Sequence, residues 1–276
     1  MTVQNSVLTH TSAVLALRTS KSINTESDAL QKHLSTGLRI SGATDSASNY
    51  AIAQGLRSEL AAFDAVNQGL RAVIGLTKVS MAAATSVSNT LKDMRAKAVE
   101  GRNEGLTDQQ RIIVAADFIG MRDQLDDMVV NQASFNGRNI LQDGSSSVNV
   151  LINLQGDSYT IDNYEIQAIN LQLGLPDANL DSVANATAAE TYVVEAMGTV
   201  SDALAGLGAS TRFLEQQISF NESLTDATAE GLGNIVDADL ARDSARFNAL
   251  KVRNELSIQV VNIANQRPNV LLDLLR

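Results

Sequence analysis

The chain has 276 residues, of which 44% are hydrophobic and only 4% aromatic, so it can form a sizeable core made of small aliphatic side chains. It has no cysteine and only two histidines, His10 and His33, which excludes disulfides and thiolate metal sites and leaves almost nothing for a histidine metal cage or a Ser/His/Asp triad. The net charge of −10 argues against nucleic acid as the main partner, and we predict no catalytic, cofactor-binding or metal site.

The first 34 residues predict an amphipathic helix with a narrow apolar stripe. The stripe consists of Val7, Val14, Leu17, Ile23, Leu30 and Leu34. Most of the remaining positions are Ser, Thr, Asn, Gln or Ala, so the isolated helix has no core to fold against and is marginally stable alone. We therefore expect this segment to become ordered only on association.

Long helices are permitted in the next part of the chain, because the only prolines are Pro176 and Pro268. A heptad seam begins at residue 56, weakened by two hydroxyl residues, and comprises Leu56, Phe63, Leu70, Thr77, Ala84, Leu91 and Ala98 with Val66, Val73, Ser80, Val87 and Met94 between them. Asp45 is a suitable N-cap and Gly101 a suitable end. Together they predict a helix of about 55 residues and roughly 80 Å.

Two further stripes predict helices that pack against this one. Thr107 and Gln110 form a capping-box pattern before Val114, Phe118, Met121, Leu125 and Met128. A third stripe comprises Val193, Met197, Val200, Leu204, Leu207, Thr211, Leu214 and Ile218. Gly206 and Gly208 lie in it and cost roughly 1 kcal/mol each relative to Ala, so we expect a close helix contact to compensate. The three helices predict an antiparallel bundle.

The middle of the chain changes from helical periodicity to alternation. The alternating apolar residues are Val148, Val150, Ile152 and Leu154, then Tyr159 and Ile161, then Tyr164 and Ile166. Turn signals occur at Asn136-Gly137, Asp143-Gly144 and Gly156-Asp157, and residues 176–188 have the composition of a polar loop. This pattern predicts a small β insertion at one end of a helical bundle.

The C-terminal segment resembles the N-terminal one in composition. Residues 238–266 carry a second narrow stripe, which continues to residue 270 and comprises Ala249, Leu256, Ile263 and Val270. The chain closes on NVLLDLLR at 269–276, whose leucines need burial that a monomer does not easily offer. The predicted fold is mainly α, a long antiparallel helical bundle and coiled coil formed from both chain ends with a small β-hairpin insertion in the middle.

Charge is distributed unevenly along the chain. Residues 1–45 carry four basic and three acidic residues, 237–276 carry six and five, and the part between them carries eleven and twenty-three. The ends are therefore close to neutral and the middle is acidic. No run of 18 apolar residues occurs, and the N-terminus lacks a basic start before an apolar run, so we expect neither a membrane span nor a cleaved signal peptide.

Three motifs in order identify a resemblance. They are LSTGLRISGATDSASNYAIAQGL from Leu34, Phe135-Asn136-Gly137 followed by Ile140-Leu141, and ANQRPNVLLDLLR from Ala264. With them, the chain resembles bacterial flagellin over roughly residues 1–142 and 190–276. The resemblance implies that 1–44 and 237–276 pair as a coiled coil in the inner shell of a filament. It further implies that 45–142 and 189–236 form helical rods around that shell, and that 143–188 is a short insertion facing solvent.

The same resemblance implies partners and a location. The chain is expected to assemble with copies of itself, and with related flagellins, into a helical extracellular filament for swimming. Export would be by the flagellar type III apparatus, in an unfolded state, with an export chaperone, a filament cap and junction proteins as further partners. At Asp93 and Lys97 the chain departs from flagellins that activate the vertebrate Toll-like receptor for flagellin, which predicts weak activation of that receptor.

The residues predicted to make assembly contacts lie at both ends of the chain. They are Leu8, Leu15, Leu34, Leu38 and Ile40 at the first end, with Arg39 and Asp45 positioning the turn between shells, and Leu256, Val260, Ile263, Leu271, Leu272, Leu274 and Leu275 at the second. The alternatives are a hook-filament junction protein, which shares this terminal architecture, and a secreted helical adhesin or effector that binds through its acidic insertion. An enzyme is a third alternative, with no candidate catalytic residues.

Overall fold

The computed structural model describes the backbone of residues 11–274 and the side chains of residues 13–264 and 266. Over that range it contains five α-helices, a two-stranded sheet and a π-helical turn at Met128–Gln132. The elements are α1 (Thr11–Thr36), α2 (Ala47–Gly101), α3 (Asp108–Asp127), β1 (Val148–Leu151), β2 (Ser158–Ile161), α4 (Val183–Val236) and α5 (Leu240–Leu274). The prediction of a mainly α fold with a small β insertion is confirmed.

The chain divides into two compact units. The first comprises Met1–Ser58 and Ala227–Arg276, and the second comprises Glu59–Asp226. The first unit contains α1, α5, the start of α2 and the end of α4, and the second contains the rest of α2 and α4 together with α3 and the sheet. The predicted assignment of segments to shells concerns the filament and stays a prediction.

Helix α2 forms the main seam of the second unit. It spans 55 residues and ends at Gly101, as the heptad pattern predicts. The seam side chains are buried, and those of this unit include Val66, Leu70, Thr77, Ala84, Val87, Leu91, Met94 and Ala98. Burial of a large aliphatic side chain contributes roughly 1.5–3 kcal/mol, so the leucines and valines of this seam stabilise the unit together with the core residues of α3, the insertion and α4.

The composition of α2 is also that of a helix able to cross a membrane. One 18-residue window has a mean hydropathy of 1.2, although the sequence contains no run of 18 apolar residues. However, 39% of that window is buried inside the protein. A helix that is buried in a protein core can have this length and composition. Packing of the heptad seam inside the protein therefore explains why α2 is apolar, and no bilayer is needed.

Helix α3 begins at the predicted capping box. The Thr107 side chain accepts a hydrogen bond from the backbone N–H of Gln110, and the Gln110 side chain accepts one from the backbone N–H of Thr107. This reciprocal pair satisfies two donors that the first turn of the helix leaves unpaired. Val114, Phe118 and Leu125 are buried in the same core as α2, so the predicted stripe is confirmed.

The insertion contains one β-hairpin. Strands β1 and β2 are antiparallel, with Val148 opposite Ile161 and Leu151 opposite Ser158, and Gly156 has the positive φ of 98° that the connecting turn requires. The expectation that Tyr164 and Ile166 continue the alternation as a strand is wrong. Their N–H groups donate to the carbonyls of residues 140 and 141, but the flanking residues make no ladder, so no strand forms.

The predicted turn at Asn136-Gly137 is confirmed. Both residues have positive φ, 50° and 75°, and Phe135 and Arg138 exchange two backbone hydrogen bonds across them. This is the geometry of a type I′ turn, for which the Asn-Gly dipeptide is favoured. The Phe135 ring lies over Gly75 of α2, where a Cβ would be 2.9 Å from the ring carbon Cζ. The turn thereby packs its aromatic ring against the rod.

Helix α4 begins earlier than the sequence predicted. Residues 176–188 were expected to form a loop, but α4 begins at Val183. The hydroxyl of Ser182 accepts a hydrogen bond from the N–H of Asn185, which is the arrangement of a serine N-cap. The Ala-rich sequence after it favours helix, so the loop ends at residue 182.

Candidate assembly surface

The two terminal helices, α1 and α5, pack together along a narrow seam of mostly small side chains. The buried seam positions repeat every seven residues and are Ala16, Ile23 and Leu30 on α1 and Leu250, Ser257 and Ala264 on α5. Ile23, Leu30 and Leu250 form a small cluster with the partly buried Phe247. Because few large side chains are buried, this contact alone gives the pair of helices little hydrophobic stabilisation.

The larger apolar side chains of these helices lie in solvent. Leu15 is 66% exposed, Leu256 53% and Ile263 62%, and Val14, Leu17, Val252, Ile258 and Val260 are also more than half exposed or close to it. On α5 the predicted stripe at Leu256 and Ile263 is offset by one residue from the buried seam at Ser257 and Ala264. The helices therefore bury three large apolar side chains between them, Ile23, Leu30 and Leu250, and present most of the others outward.

A groove runs between α1 and α5 beside these exposed apolar side chains. Its volume is about 560 Å³. It is lined by Leu15, Ala16, Thr19, Ser22, Ile23, Glu26, Arg253, Leu256, Ser257 and Val260. We call these exposed apolar residues and the groove together the terminal face. Four of its residues, Leu15, Leu256, Val260 and Ile263, are predicted assembly contacts.

The turn after α1 is tied to the end of α4. Gly37 has a φ of 72°, which reverses the chain, and Leu38 pairs with Asp237 in an isolated antiparallel bridge. The backbone N–H of Arg39 donates to the Val236 carbonyl at 2.7 Å, and its guanidinium Nη2 donates to the Ile235 carbonyl at 2.7 Å. These carbonyls lie at the C-terminus of α4, where a helix leaves them unpaired and a positive charge is favourable.

Asp45 stabilises the loop before α2, but it is not the N-cap of that helix. Helix α2 begins at Ala47, and the carbonyl of Ser46 accepts its first hydrogen bond. The Asp45 carboxylate instead accepts hydrogen bonds from Lys32 Nζ at 3.0 Å and from the backbone N–H groups of Ser41 and Gly42. The bond to Lys32, together with those to the loop, lowers the pKa of Asp45 to about 2.

The other predicted contacts are placed in different environments. Leu34 and Leu38 are half-buried, whereas Ile40 is buried with Ala53 and Val236 inside the first unit, so its side chain stabilises the subunit itself. Leu8 and Leu275 lie outside the described residues. The backbone of Leu271, Leu272 and Leu274 continues α5 beyond Pro268, and their side chains are outside the described set.

His33 forms a polar contact between the C-terminal end of α1 and the N-terminal end of α5. Its Nδ1 lies 3.0 Å from Oδ2 of Asp243. This carboxylate partner had no signal in the sequence, because the two residues are 210 positions apart. Among the described side chains, no three His, Asp or Glu residues converge in a way that could hold a metal ion. His10 lies outside the described residues.

Terminal helices that pair along a narrow seam and leave most of their large apolar side chains in solvent are typical of a structural subunit that is completed by association. The chain belongs to the bacterial flagellin family. Residues 7–146 match the family model of the bacterial flagellin N-terminal helical region, and residues 191–275 match that of the C-terminal helical region. The predicted resemblance is thereby confirmed over most of the chain.

Relatives of the whole length are flagellins. The chain is 30% identical over 275 residues to flagellin FljK of Caulobacter vibrioides, with 99% of each chain covered, and 32% identical over 278 residues to flagellin FljJ of the same organism, with 98% of each covered. Among solved structures, it is similar to Bacillus cereus flagellin, with a TM-score of 0.51, 20% identity and coverage of 55% of this chain and 88% of that one. A putative flagellar hook-associated protein from Vibrio parahaemolyticus gives a TM-score of 0.58, 16% identity and coverage of 70% and 100%.

The two structural likenesses concern the fold alone, since hook-associated proteins and flagellins share it. The full-length relatives distinguish a flagellin from a hook-associated protein, because those relatives are flagellins. As a flagellin, the chain is a structural subunit of the bacterial flagellar filament, which serves motility. The junction-protein and adhesin alternatives are not favoured.

Proposed function

We propose that the terminal face is the surface through which neighbouring copies contact one another in the filament. The observation that carries this proposal is the exposure of Leu15, Leu256 and Ile263, each more than half in solvent. Burying one such side chain against a neighbour contributes about 1 kcal/mol or more, and the contribution is repeated at every contact of the polymer. Leu34 and Leu38, which are half-buried, and Leu8, Leu271, Leu272, Leu274 and Leu275 are proposed to extend the same contact.

The contact is of the heterologous kind, in which one surface meets a different surface of the next copy. Such contacts give an open helical polymer when the rotation between copies does not close a ring. The near-neutral charge of residues 1–45 and 237–276 supports this assignment, because densely packed copies with high like charge would repel one another. The acidic middle of the chain is proposed to face solvent.

Removal of the C-terminal segment tests this function. We expect deletion of residues 270–276 to leave the second unit folded and to abolish polymerisation, measured by circular dichroism and by sedimentation after addition of filament seeds. A full-length control with Leu271, Leu272, Leu274 and Leu275 replaced by Ser separates loss of apolar contact from loss of length, and it should also fail to polymerise. Filaments formed at normal yield by either variant would contradict the proposal, and a dispersed wild-type monomer under the same conditions would favour the adhesin.

Export by the flagellar type III apparatus, in an unfolded state and with a chaperone on the C-terminal segment, is also proposed. It is supported by family membership and by the thin α1–α5 seam, which gives these helices little to hold them folded alone. Export should stop in cells that lack the apparatus and persist in cells that lack only the filament cap. Secretion that continues without the apparatus would contradict this route.

Contacts with related flagellins, the filament cap and the junction proteins are proposed from the same family membership. The presence of FljK and FljJ in one organism supports mixed filaments, because both are similar to this chain over their full length. We expect the chain to elongate filament seeds made from FljK. Seeds that elongate with FljK but not with this chain would contradict co-assembly.

Weak activation of the vertebrate receptor is proposed from the side chains on α2. Asp93 is exposed, and Lys97 is held by Asp117 at 3.1 Å and Glu100 at 3.2 Å, which raises the pKa of the Lys97 ammonium. Flagellins that activate the receptor carry an Arg and a Leu at these positions. This chain has the acidic Asp93 and the basic Lys97 there instead. The double variant Asp93→Arg with Lys97→Leu should activate the receptor more strongly than wild type, and an unchanged response would contradict this assignment.

A further inference from the structure

Helices α2 and α4 carry two buried polar pairs inside the apolar core of the second unit. Asn67 Oδ1 accepts a hydrogen bond from Asn221 Nδ2 at 3.1 Å, and these residues are only 4% and 0% exposed. Thr77 Oγ1 lies 3.0 Å from Thr211 Oγ1, and both residues are buried. Buried polar side chains in a heptad seam weaken hydrophobic packing. Their presence here therefore indicates a role other than stabilisation.

Both pairs belong to a single antiparallel register. Thr77 follows Asn67 by ten residues on α2, and Thr211 precedes Asn221 by ten on α4. The two polar layers therefore form together when the helices are correctly aligned, and neither forms when one helix is displaced along the other.

The apolar residues and the surface charges do not select this register by themselves. The seam repeats every seven residues, so a displacement of one heptad again brings apolar residues together. Arg71 pairs with Glu222 at 2.8 Å and Lys78 with Glu215 at 2.9 Å, and these pairs are also one heptad apart on each helix. A displaced helix would keep one of them, as Arg71 with Glu215 or as Lys78 with Glu222.

The asparagines do distinguish the registers. A displacement of one heptad places Asn67 opposite Leu214 or, in the other direction, opposite Thr228. In that second direction Asn221 faces Ile74, so its Nδ2 has no polar partner on α2, although Gln217 of the same helix still reaches its Oδ1. A buried amide N–H without a hydrogen-bond partner is costly, whereas the native pair joins Asn221 Nδ2 to Asn67 Oδ1.

Asn221 also holds the β insertion, together with Gln217. Asn221 Nδ2 and Gln217 Nε2 each donate to the backbone carbonyl of Ile152, both at 3.2 Å, and Gln217 also donates to Asn221 Oδ1 at 3.1 Å. Ile152 directly follows β1, so the alignment of α4 determines where the hairpin attaches to the rods. Displacement of α4 would break these bonds as well.

We propose that Asn67 and Asn221, with Thr77 and Thr211, act as a register lock that selects one alignment of α2, α4 and the hairpin. The lock acts inside one chain, before copies contact one another, and it does not depend on the terminal face. Its function is to make every subunit identical in length and shape, which a polymer of repeating contacts requires. The lock reduces the number of alternative folds more than it raises the free energy of unfolding.

The absence of native cysteine allows a direct test by disulfide trapping. The pair Thr77→Cys with Thr211→Cys reports the native register, because the two Oγ1 atoms lie 3.0 Å apart in it and a cysteine Sγ would take the place of each. Thr77→Cys with Leu204→Cys, and Thr77→Cys with Ile218→Cys, report displacement by one heptad in each direction. Each pair is placed in the otherwise wild-type full chain and in the same chain with Asn67→Leu and Asn221→Leu, and all are refolded from denaturant under oxidising conditions.

In the otherwise wild-type chain we expect the native-register disulfide and no displaced one. In the chain with Asn67→Leu and Asn221→Leu, the yield of at least one displaced disulfide should increase about tenfold. This factor corresponds to the lower range of the free-energy penalty for leaving a buried amide unpaired. That chain should keep its helical circular dichroism, with a melting temperature equal to or above wild type. Leu70→Ala, which removes a buried seam side chain, is the matched control and should lower the melting temperature without any displaced disulfide.

Two outcomes would overturn the register lock. One is a leucine-substituted chain that refolds with the native-register disulfide alone. The other is a leucine-substituted chain that loses its helical signal, since the asparagines would then supply stability and not alignment. Polymerisation is not needed for either readout, so a failure of the terminal face and a failure of the register lock are distinguishable.

Discussion

The hydroxyl of Tyr164 occupies the position that a side chain at Gly206 would take. A Cβ at residue 206 would lie 2.0 Å from Tyr164 Oη and 2.8 Å from Cζ. Tyr164 is in the insertion and Gly206 is in the middle of α4, so this glycine is needed for the insertion to pack on the rod. The close contact expected to compensate for a mid-helix glycine is therefore with a tyrosine of the insertion and not with another helix.

Substitution of Gly206 tests this contact. Helix propensity alone predicts that Gly206→Ala stabilises the chain by about 1 kcal/mol. We expect it instead to lower the melting temperature and change the tyrosine near-ultraviolet signal, because the new methyl group displaces the Tyr164 ring. Gly198→Ala is the matched control, since nothing lies within 4 Å of its Cβ position in the same helix, and it should raise the melting temperature. Equal stabilisation by both substitutions would contradict the account.

Asp45 makes a pH-dependent contribution to the stability of the first unit. Its pKa is lowered from 3.8 to about 2, so the folded state favours the carboxylate. The contribution is fully present above about pH 4 and is lost as the pH falls through the folded value. We expect Asp45→Asn to lower the melting temperature at neutral pH, and the difference from wild type to shrink between pH 4 and pH 2. A difference that stays constant over this range would show that the carboxylate charge is not responsible.

Ser80 is expected to reduce the stability of the second unit. Its hydroxyl is buried in the α2 seam and has no hydrogen-bond partner within the part of the chain that the structure describes. Ser80→Ala should raise the free energy of unfolding by about 1 kcal/mol, as expected for removal of an unsatisfied hydroxyl. Ser86→Ala, at an exposed position of the same helix, controls for helix propensity and should give a smaller gain. Equal gains in denaturant unfolding would rule out a penalty at Ser80.

The regular elements could be predicted because each depends on residues close together in sequence. The seam of α2, the capping box at Thr107 and the turn at Asn136-Gly137 are determined by local spacing and backbone preference, and all three are confirmed. Resemblance added the family, because each of its three motifs, at Leu34, Phe135 and Ala264, is a short run of neighbouring residues. Periodicity could not determine which face of α5 is buried, since the exposed Leu256 and the buried Ser257 are adjacent.

Contacts between distant segments could not be predicted from spacing. Thr77 and Thr211 lie in two predicted stripes, but spacing within each stripe does not show that these residues, 134 positions apart, pair with each other. The N-cap expected at Asp45 was wrong because the carboxylate finds Lys32 and two loop N–H groups instead. The early start of α4 had a local signal, a serine followed by an Ala-rich run, that the nearby proline outweighed.

The assembly account is tested most directly by making the terminal face polar without changing the fold. The variant Leu256→Gln with Ile263→Gln keeps good helix formers on α5, and Ile169→Gln with Leu175→Gln changes two exposed apolar residues of the insertion as a control. The measurement is the rate at which purified protein elongates filament seeds, followed by sedimentation and electron microscopy. We predict no elongation by the α5 variant, wild-type elongation by the insertion variant, and equal helical content in both. Elongation of seeds by the α5 variant at the wild-type rate would contradict the account.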